Sequence, residues 1–152
     1  MRSIILFISL IFLAPPQGGH YRLFVNTSGL KPLKGDLYIS LHNRPEYFQF
    51  ADSALMKTSI KVNEEKETIV FEDVPEGRYA IAIYHDEDMN GKMDVNEMGI
   101  PREGYGFSTK NKAPGRPKFE QAAFDLSRND TIEIKMIYHP VPNQKKDTVN
   151  KR

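Results

Sequence analysis

The run Asp86-Glu87-Asp88-Met89-Asn90-Gly91-Lys92-Met93-Asp94-Val95-Asn96-Glu97 puts oxygen-bearing side chains at the first, third, fifth, ninth and twelfth places of a loop whose sixth place is glycine. That is the spacing of a calcium-binding loop. A hard divalent cation takes six to eight oxygens, and alternate residues of a tightly curled backbone can turn theirs inward together. Asp86, Asp88, Asn90, Asp94 and Glu97 offer side chains, Gly91 permits the bend, and Lys92 contributes its main-chain carbonyl. Without a cation, the carboxylates of Asp86, Asp88, Asp94 and Glu97 repel one another, a cost that solvation, protonation or a bound ion relieves. The competing reading is a solvated acidic turn that holds nothing.

The setting differs from that of an EF-hand. A β-branched and aromatic strand precedes the loop, and Met98-Gly99-Ile100-Pro101 blocks an exiting helix, which weakens the case for Glu97 more than for the rest. The expected ion is calcium in a structural role.

Other residues that could do chemistry are fewer. His85 directly precedes the loop and His42 ends another strand; meeting at one end of the fold, they would suit a metal-assisted hydrolase, whereas apart they are strand-end histidines bonded locally. No Gly-x-Ser-x-Gly elbow, glycine-rich phosphate loop or carboxylate pair marks a catalytic site. In the glycine-rich segment Gly99–Ser108, Tyr105 and Phe107 either face a sugar, a peptide or another apolar-faced ligand, with His85 nearby, or cap the sheet and hold the loop down. Lys110, Lys112, Arg116 and Lys118 read as solvated surface.

The elements that must position these residues are strands. Apolar residues recur with period two in Tyr21, Leu23 and Val25, in Leu37, Ile39 and Leu41, and in Ile132, Ile134, Met136 and Tyr138. The first two runs, joined across turn-forming residues, read as a hairpin with a long connection. Pro45–Met56 reads as a short helix or irregular crossover, and Ser59–Val62 as a short edge strand. Thr68–Phe71, the turn Asp73–Gly77 and Arg78–His85 read as strand, tight turn, strand. In the last of these, Ala80 and Ala82 leave one face open to close packing. Asp86–Lys118 reads as one long loop, and Phe119–Leu126 as a strand. The expectation is an all-β fold, an antiparallel β-sandwich of about seven strands with one long loop after the central strand.

Composition bounds the rest. Among 152 residues, 21 Lys and Arg balance 20 Asp and Glu, so the net charge of +1 gives no field to draw nucleic acid or an anionic membrane. No cysteine is present, which excludes disulfides, thiolate metal sites and a lipid-modified cysteine. Arg2 followed by the apolar run Ile4–Ala14 has the layout of a secretory signal peptide, with an uncleaved anchor as the other reading. The expected organisation is a signal peptide over 1–19, a β-sandwich domain over 20–140 and a disordered polar tail over 141–152, the protein being exported to the periplasm or the medium. No stable membrane span is expected after cleavage.

Several motifs in order carry a resemblance: Gly77-Arg78-Tyr79-Ala80-Ile81, His85-Asp86, Asn90-Gly91-Lys92-Met93-Asp94, Gly99 through Ser108, and Phe119-Glu120-Gln121-Ala122-Ala123-Phe124. Together they resemble the bacterial family called domain of unknown function 2141, over roughly Tyr21–Tyr138. The resemblance implies an exported bacterial protein with a transthyretin-like or prealbumin-like sandwich and no established activity. The expected function is therefore a calcium-binding, noncatalytic binding or structural envelope module whose partner is a protein, glycan or small ligand.

Overall fold

A strand with one apolar face must bury it, and the alternating runs do so by stacking two sheets. In the computed structural model the described residues are 18–48, 50–109 and 116–140. The expected polar tail lies outside them, as does the expected signal peptide except for Gly18 and Gly19. The strands are β1 (His20–Ser28), β2 (Asp36–His42), β3 (Met56–Lys61), β4 (Lys66–Pro75), β5 (Gly77–Asp86), β6 (Gly104–Phe107), β7 (Phe124–Leu126) and β8 (Asp130–Lys135), with one short helix, α1 (Phe119–Ala122). One sheet has the order β4-β1-β8; the other has the order β3-β2-β5-β6, with β7 paired to the start of β5. The result is an all-β sandwich. All pairings between these strands are antiparallel except β1 with β8, which is parallel.

Leu23 and Val25 of β1, Phe71 of β4 and Ile134 of β8 meet Leu37, Ile39 and Leu41 of β2 and Ile81 and Ile83 of β5 in one core. Each such side chain contributes roughly 1.5–3 kcal/mol on burial, and no disulfide assists.

The expected hairpin between the first two strands does not form. Leu30, in the connection, is fully buried and its N–H donates to the Glu65 carbonyl at 3.1 Å, so the chain crosses between sheets there. The turn at Pro75-Glu76-Gly77 likewise hands the chain from β4 to the other sheet, and the Tyr79 hydroxyl donates to the Pro75 carbonyl at 2.7 Å to hold that corner. The crossover after β2 carries two single-turn 3-10 helices, Pro45–Tyr47 and Ala51–Ser53, as its lack of alternation implies.

Two further expectations are corrected. Phe119–Leu126 is not one strand: Phe119 and Ala122, one helical turn apart, are both buried against Ala80, and the Lys118 N–H donates to Gln121 Oε1 at 2.8 Å at the start of α1. The long loop is also interrupted, because Gly104–Phe107 forms β6 against β5. Its glycines face β8 and the segment after it so closely that a Cβ on Gly104 would collide with the Tyr138 ring, and one on Gly106 would lie 2.7 Å from Ile134 Cγ2. Low strand propensity hid a strand whose glycines serve close approach.

The outer face of the larger sheet is where the small alanines matter. Ala80 lies beneath Phe48, Phe119 and Ala122, with Ala82 and Phe107 packed alongside. Ser108 latches this layer down: its hydroxyl accepts from Ile81 N at 2.8 Å and donates to the Ala122 carbonyl at 2.7 Å.

Candidate metal and ligand site

β5 ends in Asp86, which is fully buried at the mouth of the acidic loop. Its Oδ1 accepts from Asn90 N at 3.0 Å and its Oδ2 from Gly91 N at 2.8 Å, so the chain curls around the carboxylate. Met89 (φ 63°) and Gly91 (φ 80°) both take the left-handed conformation, and this is where the glycine is needed. Asn90 Oδ1 accepts from Lys92 N at 3.0 Å, and Asn90 Nδ2 donates to Asp94 Oδ1 at 3.2 Å.

After Asp94 the chain doubles back. Val95 bridges to Pro101, Asn96 N donates to the Ile100 carbonyl at 2.9 Å, and Asn96 Oδ1 accepts from Met98 N and Ile100 N at 3.0 and 2.9 Å. Glu97 therefore sits exposed near the tip of a small hairpin. The returning strand delivers a different carboxylate: Gly104 pairs with His85, so Glu103 arrives beside Asp86. Glu103 is buried, and its two oxygens accept from Glu87 N at 2.8 Å and Asp94 N at 2.9 Å.

Among the described residues, Asp86, Asp88 and Glu103 form a cluster whose ligand oxygens all lie within 4.8 Å of one another, and it can hold a metal ion. The donor set fits a hard cation, since each carboxylate oxygen that accepts one N–H keeps a lone pair. Asp94 and Glu97 are not in that cluster. Glu103 was missed because its partner strand was missed; once β6 is placed against β5, the register alone puts it there.

The acidic end raises the field around Tyr84, whose phenol is pushed up to about 12, first by burial and then by Tyr38, Asp86 and Glu103. Tyr84 stacks on Tyr38 with ring centroids 4.8 Å apart, and its hydroxyl donates to the Gly91 carbonyl at 3.3 Å, tying the loop to the sheet.

Beyond this tyrosine row lies a cavity of about 590 Å³, with Ser40, His42, Ala82, Tyr105 and Phe107 on the sheet and Met93, Val95, Ile100 and Pro101 of the acidic loop among its lining. Tyr105 and Phe107 thus both face it. Tyr105 shares a 2.9 Å hydrogen bond with His139 Nε2, and Phe107 packs edge-on to Phe48.

The two strand-end histidines do not meet. His42 pairs with Ala80 and His85 with Leu37, which puts them on opposite faces and five residues apart along β2, about 17 Å at the usual strand rise. His85 is fully buried and away from the cavity lining, its Nδ1 bonded to the Tyr138 hydroxyl at 2.8 Å and its Nε2 to the Lys34 carbonyl at 2.6 Å. A carbonyl only accepts, so Nε2 carries the proton and Nδ1 accepts from Tyr138. His42 is also buried; its Nε2 lies 3.0 Å from Ser40 Oγ, which itself donates to the Ala82 carbonyl at 3.1 Å. Nε2–H is then the donor, and Nδ1 is left as a buried acceptor with no partner among the described residues.

The fold and site together define a β-sandwich with a metal-capable acidic loop walling a cavity on its outer face. The chain matches, over residues 25–134, the family described as an uncharacterized protein conserved in bacteria (DUF2141), and it belongs to that family. Comparison with curated proteins and with solved structures returned no match. No helix among the described residues is long and apolar enough to cross a membrane.

Proposed function

We propose that this protein is an exported, noncatalytic binding module in which a calcium ion orders the Asp86–Glu103 segment and so holds one wall of the ligand cavity in place. The observation that carries the reading is the convergence of buried Asp86 and Glu103 with Asp88 within 4.8 Å, where a cation offsets the mutual repulsion. The loop spacing selects calcium over smaller cations, because many oxygens on a flexible curl suit calcium while magnesium demands a near-ideal octahedron. Export rests on Arg2 and the apolar run Ile4–Ala14, and a calcium affinity of about 0.1–1 mM suffices outside the cell. The separation of His42 and His85 counts against a hydrolase built on that pair.

Calcium titration with thermal unfolding as the readout tests the metal. At tenfold excess over Kd, binding stabilises by about 1.4 kcal/mol, a rise in Tm of roughly 3–5 °C for a domain of this size. An unchanged transition at 10 mM calcium sinks the proposal. Mass analysis of the protein recovered from the bacterial envelope or medium tests export, with loss of about the first 19 residues expected.

A further inference from the structure

From the polar atom that the outer-face cavity leaves unsatisfied, we infer that its ligand is an uncharged, largely apolar molecule carrying a hydroxyl that donates to His42 Nδ1. This names the ligand class of the binding module proposed above and rests on that reading. The depth of the cavity comes from the register of the larger sheet. Tyr84 pairs with Tyr105 in one row across the strands, Ser40, Ala82 and Phe107 share the next, and His42 pairs with Ala80 in a third. The small Ser40 and Ala82 thus make a trough between the tyrosine row and His42, and a volume of about 590 Å³ suits a small organic molecule.

Among the described residues, His42 Nδ1 is the buried side-chain nitrogen or oxygen that lacks a hydrogen bond. An acceptor left so loses its hydration without return, and native folds rarely tolerate it. The floor fixes the tautomer: Ser40 spends its one hydroxyl proton on the Ala82 carbonyl, so it accepts from His42 Nε2–H and Nδ1 keeps a free lone pair. Burial lowers the affinity of this imidazole for a proton, which keeps that lone pair free at neutral pH. His42 lines the cavity yet is 1% exposed, so a donor reaches Nδ1 by being carried in on an apolar body, not from bulk water.

Charge on the ligand is disfavoured from both sides. A carboxylate presents only lone pairs to Nδ1. An ammonium could donate, but among the described residues no Asp or Glu lines the cavity to offset its burial. A neutral hydroxyl donates without either cost. The rest of the lining calls for an apolar body: Tyr105 and Phe107 face the cavity, and Val95 and Ile100 of its lining are still 51% and 38% exposed. A ligand lying against them removes that surface from water.

2-Naphthol and 2-methoxynaphthalene are the probes, since they share a ring system and only the first can donate. Calorimetry on the purified protein should show 2-naphthol binding at least about fivefold more tightly, the return expected for satisfying one buried acceptor. In protein carrying isotope-labelled histidine, the Nδ1 resonance of His42 should move toward that of a hydrogen-bonded acceptor with 2-naphthol and far less with the ether. His42→Leu should abolish the preference between the probes; if that variant does not fold, the Nδ1 resonance of the wild type decides. Equal affinities, as a trapped water already serving Nδ1 would give, tighter binding of the ether, a preference that survives His42→Leu, an unmoved Nδ1 resonance, or no binding of either probe would overturn the inference. Each titration is run in calcium and in EGTA beside the thermal scan. A preference for 2-naphthol without any calcium shift leaves the ligand assignment standing and removes the metal; a calcium shift without that preference does the reverse.

Discussion

At Glu103 both carboxylate oxygens accept main-chain N–H groups, from Glu87 and Asp94, and each keeps a lone pair for a cation. Glu97, exposed near the hairpin tip, has no such geometry. Glu103→Gln should therefore weaken calcium binding at least tenfold by calorimetry, while Glu97→Gln changes it by less than about twofold, since an exposed charge acts only through a screened field. Equal effects of the two would return Glu97 to the site. His42 makes a second prediction at this scale. Burial first, and the Arg116 charge second, hold its folded pKa below the ordinary 6.5. As pH falls below about 6.5 the unfolded chain takes up a proton that the folded chain resists, so stability is full above that pH and declines toward the lower folded value. Thermal scans from pH 7 to 5 should show a steeper loss of Tm in wild type than in His42→Gln; parallel curves would mean that this histidine is not held neutral.

At the scale of elements, β6 joins the two halves of the site, because one end sets Glu103 beside Asp86 and its outward side chains line the cavity. Its glycines let Tyr138, Ile134 and Met136 approach from the other side. Gly106→Val places branched carbon where Ile134 Cγ2 already stands, and an overpacking cost of about 1–3 kcal/mol in urea unfolding is expected. The hairpin Val95–Pro101 belongs to the other wall, and ordering it costs roughly 1–2 kcal/mol per residue in backbone entropy. An ion held by Asp86, Asp88 and Glu103 offsets part of that cost. Trypsin should cut after exposed Lys92 and Arg102 several-fold faster in EGTA than in calcium, and equal rates would show that no ion restrains the segment.

For the whole molecule, the two sheets share one apolar core, so stability is global, whereas the proposed calcium ion would act locally. Leu23→Ala, at a fully buried position of β1, should cost about 2–5 kcal/mol and still leave the rise in Tm with calcium intact. A variant that lost both together would mean that the loop and the core do not behave as separate contributions. The cavity is likewise a property of the assembled molecule, since its floor comes from β2, β5 and β6 and its wall from the acidic loop, with Arg116 and His139 from later in the chain also in its lining.

Ala80 and Ala82 marked a face open to close packing, but not that Phe48 and Phe119 fill it. Period-two alternation in β1, β2 and β8 and the crossover after His42 were legible in the chain, because each is set by neighbours within a few residues. So were the curl from Asp86 to Asp94 and its glycine, a local matter of backbone conformation and ligand spacing. Register and sheet membership were not: whether β1 pairs with β2 or with β4 and β8 depends on which faces find a common core, and periodicity is the same in both cases. Glycines that act by letting a neighbour in also look, in sequence, like glycines that end a strand. The acidic loop could thus be read as metal-capable from sequence alone, but the placing of Glu103 beside Asp86 and Asp88 and of the cavity beside the loop follows only from the pairing of β6 with β5.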